Sequence, residues 1–183
     1  QGCLLKDILD RVPSEFRVVL EDMMPPKTAH PTNAKIAYEQ ISEVLMQNRK
    51  LLFSKDAVSE CLTHAKECPM LPRQLGREFG PCSARLSINA AGTICVGWSA
   101  VGGRGEYGHP SELPRAVWLC ERIAREEDGT EDIFFQECTE QYLAGKKIRE
   151  PCLNTHRVVM VKTGPELQGW PTRRPRPFEQ DSF

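Results

Sequence analysis

Residues 85 to 137 read RLSINAAGTICVGWSAVGGRGEYGHPSELPRAVWLCERIAREEDGTEDIFFQE, and their patterning decides the fold. Arg85 to Ala91 alternates, with Leu86, Ile88 and Ala90 on one face, which predicts a short strand. A glycine-rich loop follows from Gly92 to Gly108. Ser111 then precedes a helical stretch from Glu112 to about Glu127, apolar at Val117, Leu119, Cys120 and Ile123 and ended by Asp128-Gly129. Ile133-Phe134-Phe135 is a compact apolar strand bounded by charge. Strand, loop, helix and strand in this order form one βαβ unit, whose two strands run parallel. In an open parallel sheet the ligand crevice lies beyond the carboxyl ends of the strands. The loop holding Cys95 follows the first strand and Glu137 lies just past the second, so neighbouring strands would turn a thiol and a carboxylate toward one crevice.

Outward from this unit, Arg157 to Val161 predicts a further strand. Upstream the chain reads as helical. Leu4, Leu5, Ile8, Leu9 and Val12 share one helix face, and Glu15 to Met24 continues in kind until Pro25-Pro26 stops it. Residues 25 to 33 connect to a long helix capped by Thr32 or Asn33, with a stripe at Ile36, Ile41, Leu45, Leu51 and Leu52. Ser54 predicts the cap of another helix running to about Glu67. The expectation is an α-helical region over residues 1–71, acting as scaffold or docking surface, ahead of an α/β portion over residues 72–183.

A chain of 183 residues allows one domain, or one domain with a helical extension. No apolar run approaches the roughly 20 residues of a membrane span, and the N-terminus shows neither the basic-then-apolar sequence nor the small-residue cleavage site of a secretory leader. A nuclear or cytoplasmic protein, not secreted, is therefore expected, and Gln1 in place of Met suggests a piece of a longer one. A net charge of -1 argues against coating nucleic acid by charge alone, yet Lys146 to Arg176 carries a local excess of +6 that could face phosphates. The eight cysteines contain no Cys-x-x-Cys pair. Cys61, His64 and Cys68 lie close together, but no second pair completes a tetrahedral set, so no metal is expected.

The loop Gly92-Thr93-Ile94-Cys95-Val96-Gly97-Trp98-Ser99-Ala100-Val101-Gly102 resembles the nucleophile loop of cytosine-5 DNA methyltransferases, Gly-x-Pro-Cys-Gln-x-Phe-Ser-x-x-Gly. Gly92, Cys95, Trp98, Ser99 and Gly102 fall in register, while Ile94 and Val96 replace Pro and Gln. Gln136-Glu137-Cys138 resembles the family's Glu-Asn-Val motif at Glu137, with Cys138 where Asn is usual. Gly169, Pro171, Arg174, Arg176 and Phe178 match its Gly-x-Pro-Gln-x-Arg-x-Arg-x-aromatic stretch, with Thr172 for Gln.

The resemblance implies a partial Rossmann-like methyltransferase sheet and methyl transfer from S-adenosyl-L-methionine to cytosine C5 through a covalent Cys95 adduct. It assigns Glu137 to the N3 edge of the base, Arg174 to its carbonyl, and Arg176 to the carboxylate or a phosphate. The partner would be DNA, with RNA as a second candidate, and the base would be flipped out of its stack. The family's Phe-x-Gly-x-Gly cofactor loop does not occur in the sequence, so no cofactor-binding residue is assigned. Two alternatives remain open. One is a catalytically inactive methyltransferase-like module that binds nucleic acid or protein. The other is a thiol hydrolase using His109 or His156 as base.

Overall fold

The computed structural model describes residues 4, 7–54, 56–70, 88–92, 96–98, 105–138, 157–163 and 176–181. Two helices open the chain, α1 (Ser14–Asp22) and α2 (Pro31–Leu52), after a short 3-10 turn at Ile8–Arg11. That turn is all that forms of the helix expected over Cys3 to Val12 within the described residues. Pro31 presets the first φ of α2, and the cap is His30, not Thr32 or Asn33: its Nδ1 accepts the Thr32 N–H at 3.3 Å. The buried stripe of α2 is Ala34, Tyr38, Ile41, Leu45 and Leu52, whereas Ile36 and Leu51 are exposed. Ile41, Leu45 and Leu52 of the expected stripe are thus in the core, and Ala34 and Tyr38 join them in place of Ile36 and Leu51.

The helix expected after Ser54 is a β-hairpin. Strand β1 (Val58–Cys61) pairs antiparallel with β2 (Lys66–Pro69), Cys61 opposite Lys66. Ser59 and Cys61 are buried while Val58 and Glu60 are exposed, a period of two that a helix cannot satisfy. The turn between the strands holds Ala65 at φ 51° and is tied to the start of the chain: the Leu62 N–H donates to the Leu4 carbonyl at 2.8 Å, and the Leu4 N–H to Thr63 Oγ1 at 3.2 Å.

The central unit forms as its patterning predicts. Strand β3 (Ile88–Gly92), helix α3 (Glu112–Glu127) and strand β4 (Ile133–Glu137) follow in order, and β3 and β4 are parallel neighbours in register from Ile88 opposite Ile133 to Gly92 opposite Glu137. Gly129, at φ 61°, ends α3, and the Thr130 N–H returns to the Arg125 carbonyl at 2.8 Å. Strands β5 (Val158–Thr163) and β6 (Arg176–Asp181) complete an open sheet of order β3-β4-β6-β5, with β6 antiparallel to both neighbours. The fold is therefore mixed α and β, with one two-stranded and one four-stranded sheet.

Helix α3 lies at the centre. Every residue from Arg115 to Arg125 is buried. Trp118 meets Phe134 of β4 edge-on at 5.5 Å and donates through Nε1 to Asn89 of β3 at 3.2 Å. On another side Arg125 donates to the Phe53 carbonyl at 2.9 Å, and Arg49 of α2 forks onto Glu127 at 2.7 and 2.9 Å. One hydrophobic cluster runs through both halves of the chain, from Val12, Leu20, Ile41 and Leu45 to Val117, Ile123 and Phe134. Each such side chain stabilises the fold by about 1.5–3 kcal/mol.

The charged residues of α3 are buried because oppositely charged partners meet them, on α3 itself and from other parts of the chain. Glu121 receives Arg11 and Arg122 at 3.0 Å each and Arg125 at 3.4 Å, and Arg122 also reaches Glu131 at 3.1 Å. Removing one member of such a set costs about 3–5 kcal/mol, since the remaining charge stays buried.

Candidate functional site

The carboxyl ends of β3 and β4 are level: Gly92, the last residue of one, stands opposite Glu137, the last residue of the other. A Cβ built on Gly92 would lie 3.7 Å from Glu137 Oε2, so the carboxylate lies beside the last residue of β3. Glu137 is half-buried. On its other side the backbone of Phe178 pairs with it, and Arg176 begins β6 two residues earlier, at the same end of the sheet. Cys95 and Arg174 lie outside the described residues, as does the side chain of Arg176.

The chain is described again from Val96 to Trp98, a 3-10 turn whose Gly97 and Trp98 are buried. Trp98 anchors it. Its ring meets Tyr107 edge-on at 5.3 Å, Tyr107 meets Tyr38 of α2 at 5.3 Å, and its Nε1–H donates to Glu112 Oε1 at 2.9 Å. Glu112, in the first turn of α3, also takes the Arg115 guanidinium at 2.7 Å. A second nitrogen of Arg115 reaches the Cys138 sulfur at 3.7 Å, one residue past Glu137. A buried polar chain therefore links the turn after Cys95, the start of α3 and the end of β4. Sequence reasoning missed this chain. Trp98 stood out only as an aromatic, and a Glu in the first turn of a helix ordinarily faces water.

Glycine at 97 is set by a close approach: a Cβ there would meet His109 Cβ at 2.6 Å and the Glu106 carbonyl at 3.2 Å. His109 itself is held locally, its Nδ1 accepting the Ser111 N–H at 3.1 Å and lying 2.8 Å from Ser111 Oγ. His156 lies outside the described residues.

Three thiols have distinct environments. Burial pushes the Cys120 thiol up to about 12, which makes it inert at neutral pH. Cys138 is buried against Arg115. For Cys61, burial opposes ionisation, but backbone N–H groups of His64, Thr63 and Leu4 and the His64 ring outweigh it and bring the thiol down to about 6. Among the described residues, the cluster able to hold a metal ion is Cys61, His64 and Cys68, in the β1–β2 hairpin and not at the parallel strand ends. No helix among the described residues is long and apolar enough to cross a membrane. Compared with family models, with curated proteins and with solved structures, the chain matches none.

Proposed function

We propose that this chain carries the cytosine-handling part of a cytosine-5 DNA methyltransferase-like site, built on a partial Rossmann-like sheet, with Cys95 as nucleophile and Glu137 as its acidic partner. The observation that carries the reading is the register of Gly92 opposite Glu137. Cys95 is three residues past Gly92, and three residues of chain reach at most about 10 Å. A thiol on that tether and a carboxyl group beside Gly92 are within span of one planar base.

In the proposed chemistry the Cys95 thiolate adds to C6 of a flipped cytosine, forming a C–S bond while the C5–C6 π pair moves onto C5. Glu137, hydrogen-bonded at N3, gives a proton or shares one as charge builds in the ring. Once C5 has used that pair to take up an electrophile, a solvent proton in the exchange reaction or the methyl group in the full one, loss of its original proton re-forms the C5–C6 double bond and expels the thiolate. Arg174 and Arg176 are assigned to the base carbonyl and to the carboxylate or a phosphate. S-adenosyl-L-methionine would supply the methyl group. The Phe-x-Gly-x-Gly loop that holds it in this family does not occur in the sequence, so the proposal gives the cofactor no residues here and rests on the addition step alone.

That step is measurable without a cofactor. Addition at C6 lets C5 take a proton from solvent before elimination, so a cytosine-containing oligonucleotide incubated with the chain in deuterated water should gain deuterium at C5. Cys95→Ser should abolish the exchange. No exchange with the unaltered chain, or exchange that survives the substitution, would refute the proposal.

A further inference from the structure

The β1–β2 hairpin holds a second constellation with chemistry of its own. Cys61 ends β1, Cys68 lies in β2, and His64 sits in the turn between them. The His64 Nδ1 is 3.4 Å from the Cys61 sulfur and 3.4 Å from the Cys68 sulfur, and the three donor atoms all lie within 4.8 Å of one another. A tetrahedral zinc ion with Zn–S near 2.3 Å and Zn–N near 2.0–2.1 Å sets its sulfur and nitrogen ligands about 3.6 Å apart. The separations here are those of ligands around one ion, and one nitrogen is equidistant from two thiols.

We infer that Cys61, His64 and Cys68 bind a zinc ion in the β1–β2 hairpin as three protein ligands, with the fourth tetrahedral position, on the open side of the turn, left to water. Two further observations favour it. Both sulfurs are buried while the His64 side of the turn is open to solvent, which provides an entry path. The turn is also held from outside, by the Leu62 N–H donated to the Leu4 carbonyl at 2.8 Å and the Leu4 N–H donated to Thr63 Oγ1 at 3.2 Å, which presets the ligand positions. Two thiolates, a neutral imidazole and a doubly charged ion sum to zero charge, which suits a half-buried place, and soft sulfur ligands select zinc over magnesium or calcium. Binding would release to solvent whatever protons the two sulfurs still carry. The inference is independent of the catalytic proposal, because it rests on different residues.

The test is metal content and cobalt substitution of the full chain purified under reducing conditions. Elemental analysis should find about one zinc per chain. Replacement by Co²⁺ should give visible bands of tetrahedral cobalt together with thiolate-to-cobalt charge transfer. Cys61→Ser, Cys68→Ser and His64→Ala should each lower zinc retention at least about tenfold, as loss of one ligand or its orientation does. Cys120→Ser, a buried thiol of α3 outside the cluster, should leave it unchanged. Should the ligand variants fold poorly, chelation of the unaltered protein decides: zinc removal should lower its melting temperature, and zinc addition should restore it. Absence of bound zinc with no cobalt spectrum, a cobalt spectrum untouched by the three substitutions, or a Cys61–Cys68 disulfide under reducing conditions would overturn the inference.

Discussion

Trp98 and Glu112 are joined by a 2.9 Å hydrogen bond inside the protein, Nε1–H to Oε1, and this bond fastens the turn after Cys95 to the first turn of α3. Trp98→Phe would keep most of the ring against Tyr107 but withdraw a donor from a fully buried carboxylate. The expected cost is about 1–3 kcal/mol, read as a lower denaturant midpoint at constant slope. A midpoint equal to that of the unaltered protein would show that Glu112 does not depend on the indole.

Two glycines flank Cys95, and they should respond differently to alanine. At Gly97 the new methyl group would stand 2.6 Å from His109 Cβ, so either the turn or His109 must move, at about 1–3 kcal/mol. At Gly92 the nearest atom is Glu137 Oε2 at 3.7 Å, an ordinary contact. Gly97→Ala should therefore melt earlier, whereas Gly92→Ala should melt with the unaltered protein and keep its cytosine exchange, because its methyl group meets the carboxylate at an ordinary contact distance. Thermal melts of both variants, with exchange measured on the second, check the contrast.

Glu137→Gln separates chemistry from folding at the strand end. The amide keeps the shape of the half-buried side chain but has no proton to give at N3. Deuterium exchange at cytosine C5 should fall by about 10²–10⁴ while the melting curve holds. Undiminished exchange would remove Glu137 from the proposed mechanism.

The parts of the fold legible in the sequence are those whose signals are local. Helix α3 is framed by Ser111 and Gly129, and β4 is an apolar block, so the βαβ unit and its parallel pairing could be read directly. The β1–β2 hairpin could not. Its strands are four residues long, and the bonds that hold its turn come from Leu4, nearly sixty residues away. Strand β6 was hidden by Pro177, with Pro175 just before it, since proline ordinarily demotes a strand. Pro177 lies beyond the pairing of β6 with β4, which ends at Phe178 opposite Glu137, and stands opposite Lys162 of β5 on the other side. Nor could the burial of Arg122 and Arg125 be read, since Arg11, which shares Glu121 with them, is 110 positions from it in the chain. At the candidate site, the level strand ends, Gly92 opposite Glu137, followed from topology, but the Trp98–Glu112–Arg115–Cys138 chain depends on packing that no residue pattern reports.

The ion pair at the other end of β4 predicts a pH dependence. Glu131 is buried, and burial raises its carboxyl to about 7. Arg122, 3.1 Å away, and Arg125 oppose that rise, while Glu121 and Asp132 add to it, and Oε1 of Glu131 is buried without a hydrogen-bond partner. Burial likewise lowers Arg122. Because the folded state holds this proton more tightly than the unfolded chain, the favourable contribution is complete below the ordinary carboxyl range near pH 4.5. It is lost as pH rises through about 7, at a cost on the order of 3 kcal/mol by pH 8. Glu131→Gln cannot ionise and should escape that loss. The unaltered protein should melt progressively earlier between pH 5 and about pH 8, the variant should show a flatter profile, and the two curves should cross, with the variant the more stable on the alkaline side. Parallel profiles would mean that Arg122 holds Glu131 ionised throughout, and that the buried pair contributes attraction in excess of its desolvation.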